Sequence, residues 1–246
     1  MEPNLKSAES QNANLLRTGF WSSVSVAVLT FVTFAAAMTA VPKSGPFSTG
    51  DGLEYPFLDS LAFYPGDYYW MFLAMFQITA WVVWMVALHF AAPEEKKIFS
   101  FAGVGFSLMA AMVLYVDYFL QFAVIPVSLM KGETDGIALL TQYNDHGIFI
   151  ALEELGYLLM SLSLFLMVLT FSRSGRLEKN LRRILALPFI LNIVSLVAFL
   201  VQFGVDRSYR FEVAAISFNW LVLIIAGIMA AVYFHRRLAL KLPRIA

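Results

Sequence analysis

Residues 113–157 read VLYVDYFLQFAVIPVSLMKGETDGIALLTQYNDHGIFIALEELGY. Two strongly apolar segments are joined here by a polar loop, and the carboxyl side chains of Asp117, Glu153 and Glu154 lie inside the apolar segments. An ionisable side chain at membrane depth is energetically costly and is a functional-site hypothesis by default. This stretch therefore predicts a membrane fold and marks the place where a functional site is to be sought.

The composition of the whole chain supports the membrane fold. Of its 246 residues 60% are hydrophobic and 14% are charged, whereas soluble domains are about 45–50% apolar and about 25% charged. The absence of cysteine excludes disulfides, thiolate metal sites and cysteine nucleophiles. Because the formal net charge is zero, we expect no nucleic-acid partner.

Apolar runs of about 20 residues are typical of membrane-spanning helices. We predict an all-α, polytopic bundle of six such helices in one domain, residues 19–236, between a polar tail at 1–18 and a basic tail at 237–246. The predicted spans are 19–41, 68–90, 98–126, 146–171, 184–203 and 213–234. The loop between the third and fourth spans, 126–145, is predicted to form a short helix or a lid.

The basic residues predict the orientation of the bundle. With six spans, 13 of the 17 lysines and arginines fall on the side of the two termini, and the other side holds Lys43, Lys131, Arg207 and Arg210. Positive charge concentrates on the cytoplasmic side of membrane proteins. We therefore expect both termini to be cytoplasmic and the protein to lie in the cell membrane, with membrane lipids as its surroundings.

The third span carries a stripe of small and polar residues at helical spacing. A similar face on the fourth span contains Glu154, Tyr157 and Ser161, with Glu153 beside it, and we predict that the two faces meet because small residues permit close helix approach. The stripe on the third span consists of Gly103, Ser107, Ala110, Asp117, Gln121 and Ser128.

No lysine or arginine lies within the spans to neutralise the three carboxylates. They therefore either bind protons or are balanced by a metal ion, an organic cation, His146, or Arg207 and Arg210 folding over the rim. A simpler alternative is that the two glutamates merely favour the positive end of a helix dipole. Asn144 or Asp145 is expected to act as the N-cap of the fourth span.

These positions predict an outward-facing, carboxylate-lined cavity that binds or transports a small cation, a proton or an amphiphile. Its predicted lining is Asp117, Gln121, Glu153, Glu154, Tyr157 and Asn219. One alternative is a membrane enzyme acting on a lipid-like substrate, with Glu153 or Glu154 as the general acid or base and His146 assisting. Another is a non-catalytic subunit of a membrane complex.

Known catalytic motifs favour none of these functions. The chain has no GxSxG motif and no P-loop, no histidine pair at haem or zinc spacing, and no lysine in the middle of a span. The sequence therefore predicts no cofactor and favours a non-enzymatic role, while leaving the metal, the ligand and the oligomeric state open.

The segment GETDGIALLTQYNDHGIFIALEELGYLLMSLS, residues 132–163, resembles a pattern found in small bacterial six-span membrane proteins of unassigned activity. The resemblance is strongest over residues 117–163. It implies a bacterial inner-membrane protein whose third and fourth spans are its distinctive part, and it implies no particular mechanism.

Overall fold

A computed structural model describes residues 2–40, 44–48, 52–173 and 175–241 of the chain, with side chains described from Asn12 to Leu240 inside these ranges. In this part of the chain the regular structure is helical, and no β-strand occurs. Eight α-helices follow one another: α1 (Glu2–Ala37), α2 (Tyr69–Ala91), α3 (Lys97–Ala123), α4 (Ile125–Met130), α5 (Ile137–Leu140), α6 (Ile148–Met167), α7 (Arg176–Phe203) and α8 (Arg210–Lys241).

Six helical segments are long and apolar enough to cross a membrane. They are Asn12–Ala37, Gly66–Ala91, Glu94–Met130, Ile148–Thr170, Arg176–Phe203 and Arg210–Leu240. This confirms the predicted all-α bundle of six membrane-spanning helices. The two short helices α4 and α5 lie in the loop that was predicted to contain a short helix.

The long helices form a closed ring in which each packs against its neighbours. Helix α1 lies between α2 and α8, α3 between α2 and α6, and α7 between α6 and α8, while α6 also reaches α8 across the ring. Gly19 lies against Phe234, and Gly227 lies against the backbone of Ser23, so α1 and α8 run antiparallel. Both chain ends therefore lie at one end of the bundle; we call the opposite end the distal end.

Helices α3 and α6 pack closely through small residues. A Cβ added to Gly103 would lie 3.2 Å from the carbonyl oxygen of Ser163, and one added to Gly156 would lie 2.5 Å from Leu114 Cδ2. The third and fourth spans thus pack together as predicted, but on α6 the close contacts come from Gly156 and Ser163. Of the predicted face, Tyr157 meets α3 while Glu154 pairs with Arg207. This packing also fixes Asp117 on α3 and Glu153 on α6 within the same interface.

Some helix ends lie outside the predicted spans. Helix α7 begins at Arg176 rather than at residue 184, because the preceding polar residues are good helix formers even though they are not apolar. Within this first part of α7, Arg182 donates hydrogen bonds of 2.9 Å to the carbonyls of Val168 and Phe171, which satisfies acceptors after the end of α6.

Both predicted tails are at least partly helical. The backbone is helical from Glu2, so the predicted polar tail continues into the first span as one helix. Helix α8 likewise continues to Lys241. The last part of the predicted basic tail, residues 242–246, lies outside the described residues.

Candidate binding cavity at the distal end

A cavity of about 470 Å³ opens at the distal end of the bundle. This volume is in the range of small-molecule sites, which are mostly apolar with a few polar groups. The wall is formed by the end of α1, the start of α2, and the first turns of α6 and α8, together with parts of three loops. Its residues are Phe34, Ala37, Met38, Ala40, Phe47, Asp67, Trp70, Gln142, Tyr143, Phe149, Ile150, Glu153, Tyr209, Glu212, Val213, Ile216, Ser217 and Trp220.

Two carboxyl side chains, Glu153 and Glu212, meet in this wall. Glu153 is the sixth residue of α6 and Glu212 the third of α8, and both helices begin at the distal end, so both side chains lie near that end. Glu153 is 1% exposed and Glu212 is 9% exposed, and the two side chains line the same wall within hydrogen-bonding reach of each other. Ionised carboxylates only accept hydrogen bonds. The contact therefore requires one proton, and the pair carries a single negative charge.

A tyrosine pair supports Glu153 from behind. Tyr118 on α3 donates a hydrogen bond of 2.7 Å to Glu153 Oε1, and its hydroxyl also lies 2.8 Å from that of Tyr157. Both tyrosines are fully buried. Glu153 is therefore held in place by donors on two different helices, with its charge facing the cavity.

No basic side chain neutralises the Glu153–Glu212 pair in the part of the chain that the structure describes. The salt bridges found there join Lys97 to Glu94, His146 to Asp145, and Arg207 to Glu154. A buried charge without a counter-ion is unfavourable unless a ligand supplies the opposite charge. The cavity wall thus combines mainly apolar surface with one unbalanced negative charge.

Aromatic rings surround the carboxyl pair. The ring of Trp70 lies 6.3 Å from that of Trp220, measured between centroids, and both line the cavity. Trp220 also lies 5.7 Å from Phe34 and 6.1 Å from Tyr157, in edge-to-face arrangements. Tryptophan faces attract organic cations, and aromatic cages of this kind recognise quaternary ammonium groups.

Asp117 lies close behind this wall but is not part of the cavity lining. It is 1% exposed and interacts electrostatically with Glu153 and Glu212. Its Oδ2 atom has no hydrogen-bond partner among the described residues. The structure therefore places Asp117 beside Glu153, as predicted from their helix faces. Asp117 is a third carboxyl group close to the Glu153–Glu212 pair.

Glu154 occupies a different environment from its neighbour. Its carboxylate accepts hydrogen bonds from Arg207, one from Nε at 3.2 Å and one from an Nη atom. Adjacent residues on a helix point about 100° apart, so Glu154 faces the rim while Glu153 faces the cavity. Arg207 therefore supplies the positive charge that neutralises Glu154. Arg210 does not contribute, because its guanidinium lies over the ring of Phe203.

Gln121 connects α3 to the loop between the third and fourth spans. Its Nε2 donates to the carbonyl of Leu140 at 2.5 Å, and its Oε1 accepts from the backbone N–H of Gln142 at 2.9 Å. The side-chain amide therefore donates one hydrogen bond to the loop backbone and accepts another, as a backbone peptide group does in regular structure. The loop lies over the cavity, with Gln142 and Tyr143 in the wall, but Gln121 itself does not line it.

Asn219 and Tyr157 also lie in the packed interior rather than in the cavity lining. The Asn219 amide nitrogen donates to the carbonyls of Tyr157 and Ala215, at 3.1 and 2.8 Å. This links α8 to α6 directly below the site. Of the six residues predicted to bind the ligand, Glu153 is thus in the wall, and the others support it or lie nearby.

His146 is at the surface. Its side chain is 74% exposed and its Nδ1 lies 2.8 Å from Asp145 Oδ1. The expected N-cap at Asn144 or Asp145 is wrong, because Gly147 is the N-cap residue of α6 and no side chain caps it. Asn144 instead closes the preceding turn, accepting from the backbone N–H of His146 at 3.1 Å and donating to Ala138 O at 2.6 Å.

Hydrogen bonds tie the three distal loops together at the cavity mouth. Ser44 donates to the carbonyl of Tyr143 and lies 2.6 Å from the hydroxyl of Tyr209, while Ser208 donates to Asp145. Burial raises the pKa values of the Tyr143 and Tyr209 phenols. Both phenols therefore stay neutral and can donate hydrogen bonds near neutral pH.

The sequence analysis missed Glu212. Its predicted span began one residue later, at 213, since the preceding residues DRSYRFE are typical of a polar loop. One signal was present: Glu212 is the acidic residue nearest to the start of that span, which places it at the same end of the bundle as the carboxylates of the fourth span.

Comparison with protein-family models, curated proteins and solved structures finds no match to the chain. Within the described residues no group of three or more His, Cys, Asp and Glu side chains is arranged to hold a metal ion. The function of the cavity is therefore argued from its own chemistry.

Proposed function

We propose that this integral membrane protein binds an amphiphilic molecule with a positively charged amine head group in the distal cavity. The observation that carries the proposal is the Glu153–Glu212 pair, which has no basic partner in the described chain and lies in a mainly apolar wall. The ammonium head would lie against the two carboxyl groups, where it supplies the missing positive charge.

The rest of the wall suits the other parts of such a ligand. Trp70 and Trp220 line the same cavity and offer aromatic rings, which attract cations, to the head group. Phe34, Ile150 and Ile216 offer apolar surface for an alkyl tail, worth about 25 cal/mol for each Å² removed from water. A small inorganic cation or a proton alone would leave this apolar surface unused.

The other functions that the sequence left open have less support. An enzyme using His146 would need it beside a cavity carboxylate, but His146 is exposed and paired with Asp145. A subunit that meets basic residues of a partner would be expected to present its acids outward, but Asp117, Glu153 and Glu212 are buried inside the bundle.

We also propose that the termini are cytoplasmic and that the cavity opens on the outer side of a bacterial inner membrane. The distribution of basic residues, 13 of 17 on the side of the termini, supports this orientation. The resemblance of residues 132–163 to small bacterial six-span proteins supports the choice of membrane.

Thermal unfolding of the purified protein in a maltoside detergent tests the binding proposal. Decylamine, decyltrimethylammonium, decanol and decanoate have the same chain length and differ in the head group. We expect the two ammonium compounds to raise the unfolding midpoint, and the alcohol and the acid to leave it unchanged. Sodium, potassium and magnesium chlorides are included to test binding of a small cation.

Glu153→Gln keeps the size and hydrogen-bonding capacity of the side chain but removes its charge, and should abolish the shift. Glu133→Gln, in the exposed part of the same distal loop, is the matched control and should retain it. An equal shift with decanol, a shift produced by inorganic cations alone, or an undiminished shift in Glu153→Gln would overturn the proposal.

A further inference from the structure

The contact between Glu153 and Glu212 requires that one of the two carboxyl groups is protonated. Two carboxyl groups can hydrogen-bond to each other only when one of them carries a proton. Tyr118 already donates to Glu153, and a donor stabilises the charged form of a carboxyl group, so we assign the shared proton to Glu212. In the empty cavity the pair thus has one proton and one negative charge.

The groups around the pair oppose a second negative charge. Helix α3 contributes Asp117 and Tyr118, and α6 contributes Tyr157 and Glu154. The end of α1 faces the cavity with Phe34 and Ala37, followed by Met38, and none of these ionises. Other ionisable groups at this end include Asp67 and Tyr68 just before α2, Tyr143, Asp145 and His146 in the distal loop, Arg207 and Tyr209 before α8, and Arg210 in its first turn.

Of the two guanidinium groups in that set, Arg207 is engaged by Glu154, and Arg210 lies over the ring of Phe203. Asp145 is engaged by Ser208 and His146, and Asp67 accepts a hydrogen bond of 3.1 Å from Tyr143. No positive charge in this set is thus free to stabilise an ionised Glu212 beside an ionised Glu153. A cationic ligand changes that balance, because it lies against both carboxyl groups at once.

We infer that binding of an organic cation in the distal cavity displaces the proton shared by Glu153 and Glu212, so that the site exchanges one ammonium ion for one proton. The hydrogen bond from Glu212 to Glu153 breaks, the Glu212 O–H bond gives up its proton to water, and two carboxylates then face one ammonium. The net charge of the site stays at −1, since one positive charge enters as another leaves. This inference rests on the proposed function.

The cavity offers the proton a way out. Glu212 lines the cavity, whose polar residues Asp67, Gln142 and Tyr143 belong to the loops and helix starts at the distal end. The released proton therefore leaves on the side from which the distal loops contact water. No oxidant, reductant or second substrate is needed for this exchange.

The test uses decyltrimethylammonium, whose charge is permanent and which has no proton of its own to release. Ligand is added to the full-length protein in weakly buffered detergent solution, and released protons are measured with a pH indicator beside the amount of ligand bound. We expect about one proton for each ligand bound, and an affinity that rises by up to about tenfold per pH unit while the pair retains its proton.

Glu212→Gln provides the matched variant. Its side-chain amide can donate to Glu153 as the protonated carboxyl does, so Glu153 keeps its negative charge and no shared proton remains. This variant should bind the probe without releasing a proton and with an affinity that does not change with pH. Proton release from Glu212→Gln equal to that of the unmodified protein would overturn the inference.

Infrared difference spectra of the unmodified protein give a readout that does not depend on any variant. Binding should remove the C=O stretching band of a protonated carboxyl group and add carboxylate bands. Binding without proton release and without this spectral change would overturn the exchange but leave the proposed function standing. An absence of binding over the whole pH range would overturn both.

Discussion

The guanidinium of Arg207 donates from Nε and an Nη atom to both carboxylate oxygens of Glu154, joining the start of the last span to the fourth span. The pair is partly buried, with side-chain exposures of 26% for Arg207 and 11% for Glu154. It removes Glu154 from the cavity's charge balance and leaves the adjacent Glu153 as the carboxyl group of this helix turn that lines the cavity.

Arg207→Ala is expected to destabilise the protein by roughly 1–3 kcal/mol, between the values for exposed and fully buried ion pairs, because Glu154 would remain buried without a partner. The midpoint of thermal unfolding in detergent measures the effect. The double variant with Glu154→Ala should recover part of the loss. If the two single losses simply add in the double variant, the residues do not form a stabilising pair.

Close packing of α3 on α6 leads to a second prediction. Gly156→Ala is expected to destabilise the bundle by about 1–3 kcal/mol, because its Cβ would lie within 2.5 Å of Leu114 Cδ2 in a packed interface. Leu114→Ala in the same chain should relieve the overlap and recover stability relative to Gly156→Ala.

Gly105→Ala is the control for this experiment. Gly105 lies on α3 itself, and an added Cβ would meet no atom within 4 Å. Its substitution should leave the unfolding midpoint unchanged or slightly raised, since alanine favours helix. Equal losses from Gly105→Ala and Gly156→Ala would count against the close approach of the two helices.

The aromatic wall predicts a graded effect on ligand affinity. Trp220→Phe should weaken decyltrimethylammonium binding, and Trp220→Leu should weaken it further, because the ring face attracts the cation most strongly in tryptophan. A contribution of about 0.5–2 kcal/mol corresponds to a loss of roughly two- to thirtyfold in affinity.

Equilibrium binding with a labelled probe measures that order of affinities. Trp21→Leu is the control, since Trp21 is 64% exposed on α1 and away from the cavity. Equal affinities for the phenylalanine and leucine variants at position 220 would show that the ring contributes packing alone.

The proposed orientation can be tested with introduced cysteines, because the chain contains none of its own. In intact cells, a membrane-impermeant maleimide should label Gly132→Cys, in the loop between α4 and α5, and should leave Glu95→Cys, before α3, unlabelled until the cells are opened. The reverse pattern would place the cavity on the cytoplasmic side.

The number of spans and their approximate limits followed from hydropathy, because each span is a continuous apolar run. The α3–α6 contact was also predictable, since the small residues of α3 repeat at helical spacing. Helix ends were less predictable: the polar first turns of α7 are helical through residue propensity, which a hydropathy pattern does not report.

The site was predicted only in part, because its partners are far apart in sequence. The pairing of Arg207 with Glu154 spans 53 residues, and no local pattern specifies it. Glu212 was hidden at the edge of a charged loop, and it became part of the site through the packing of α8 beside α6. Gln121 has the polarity of a ligand-binding residue, yet its hydrogen bonds hold the distal loop.

Photo-crosslinking tests the central claim most directly. An alkyltrimethylammonium with a diazirine in its chain is irradiated with the purified protein, and the adducts are mapped by mass spectrometry. The account predicts adducts on cavity residues such as Phe149, Ile150 and Ile216 that disappear with excess decyltrimethylammonium and in Glu153→Gln. Adducts spread over outward-facing residues such as Val194 and Val201 of α7, unaffected by competitor or by Glu153→Gln, would contradict it.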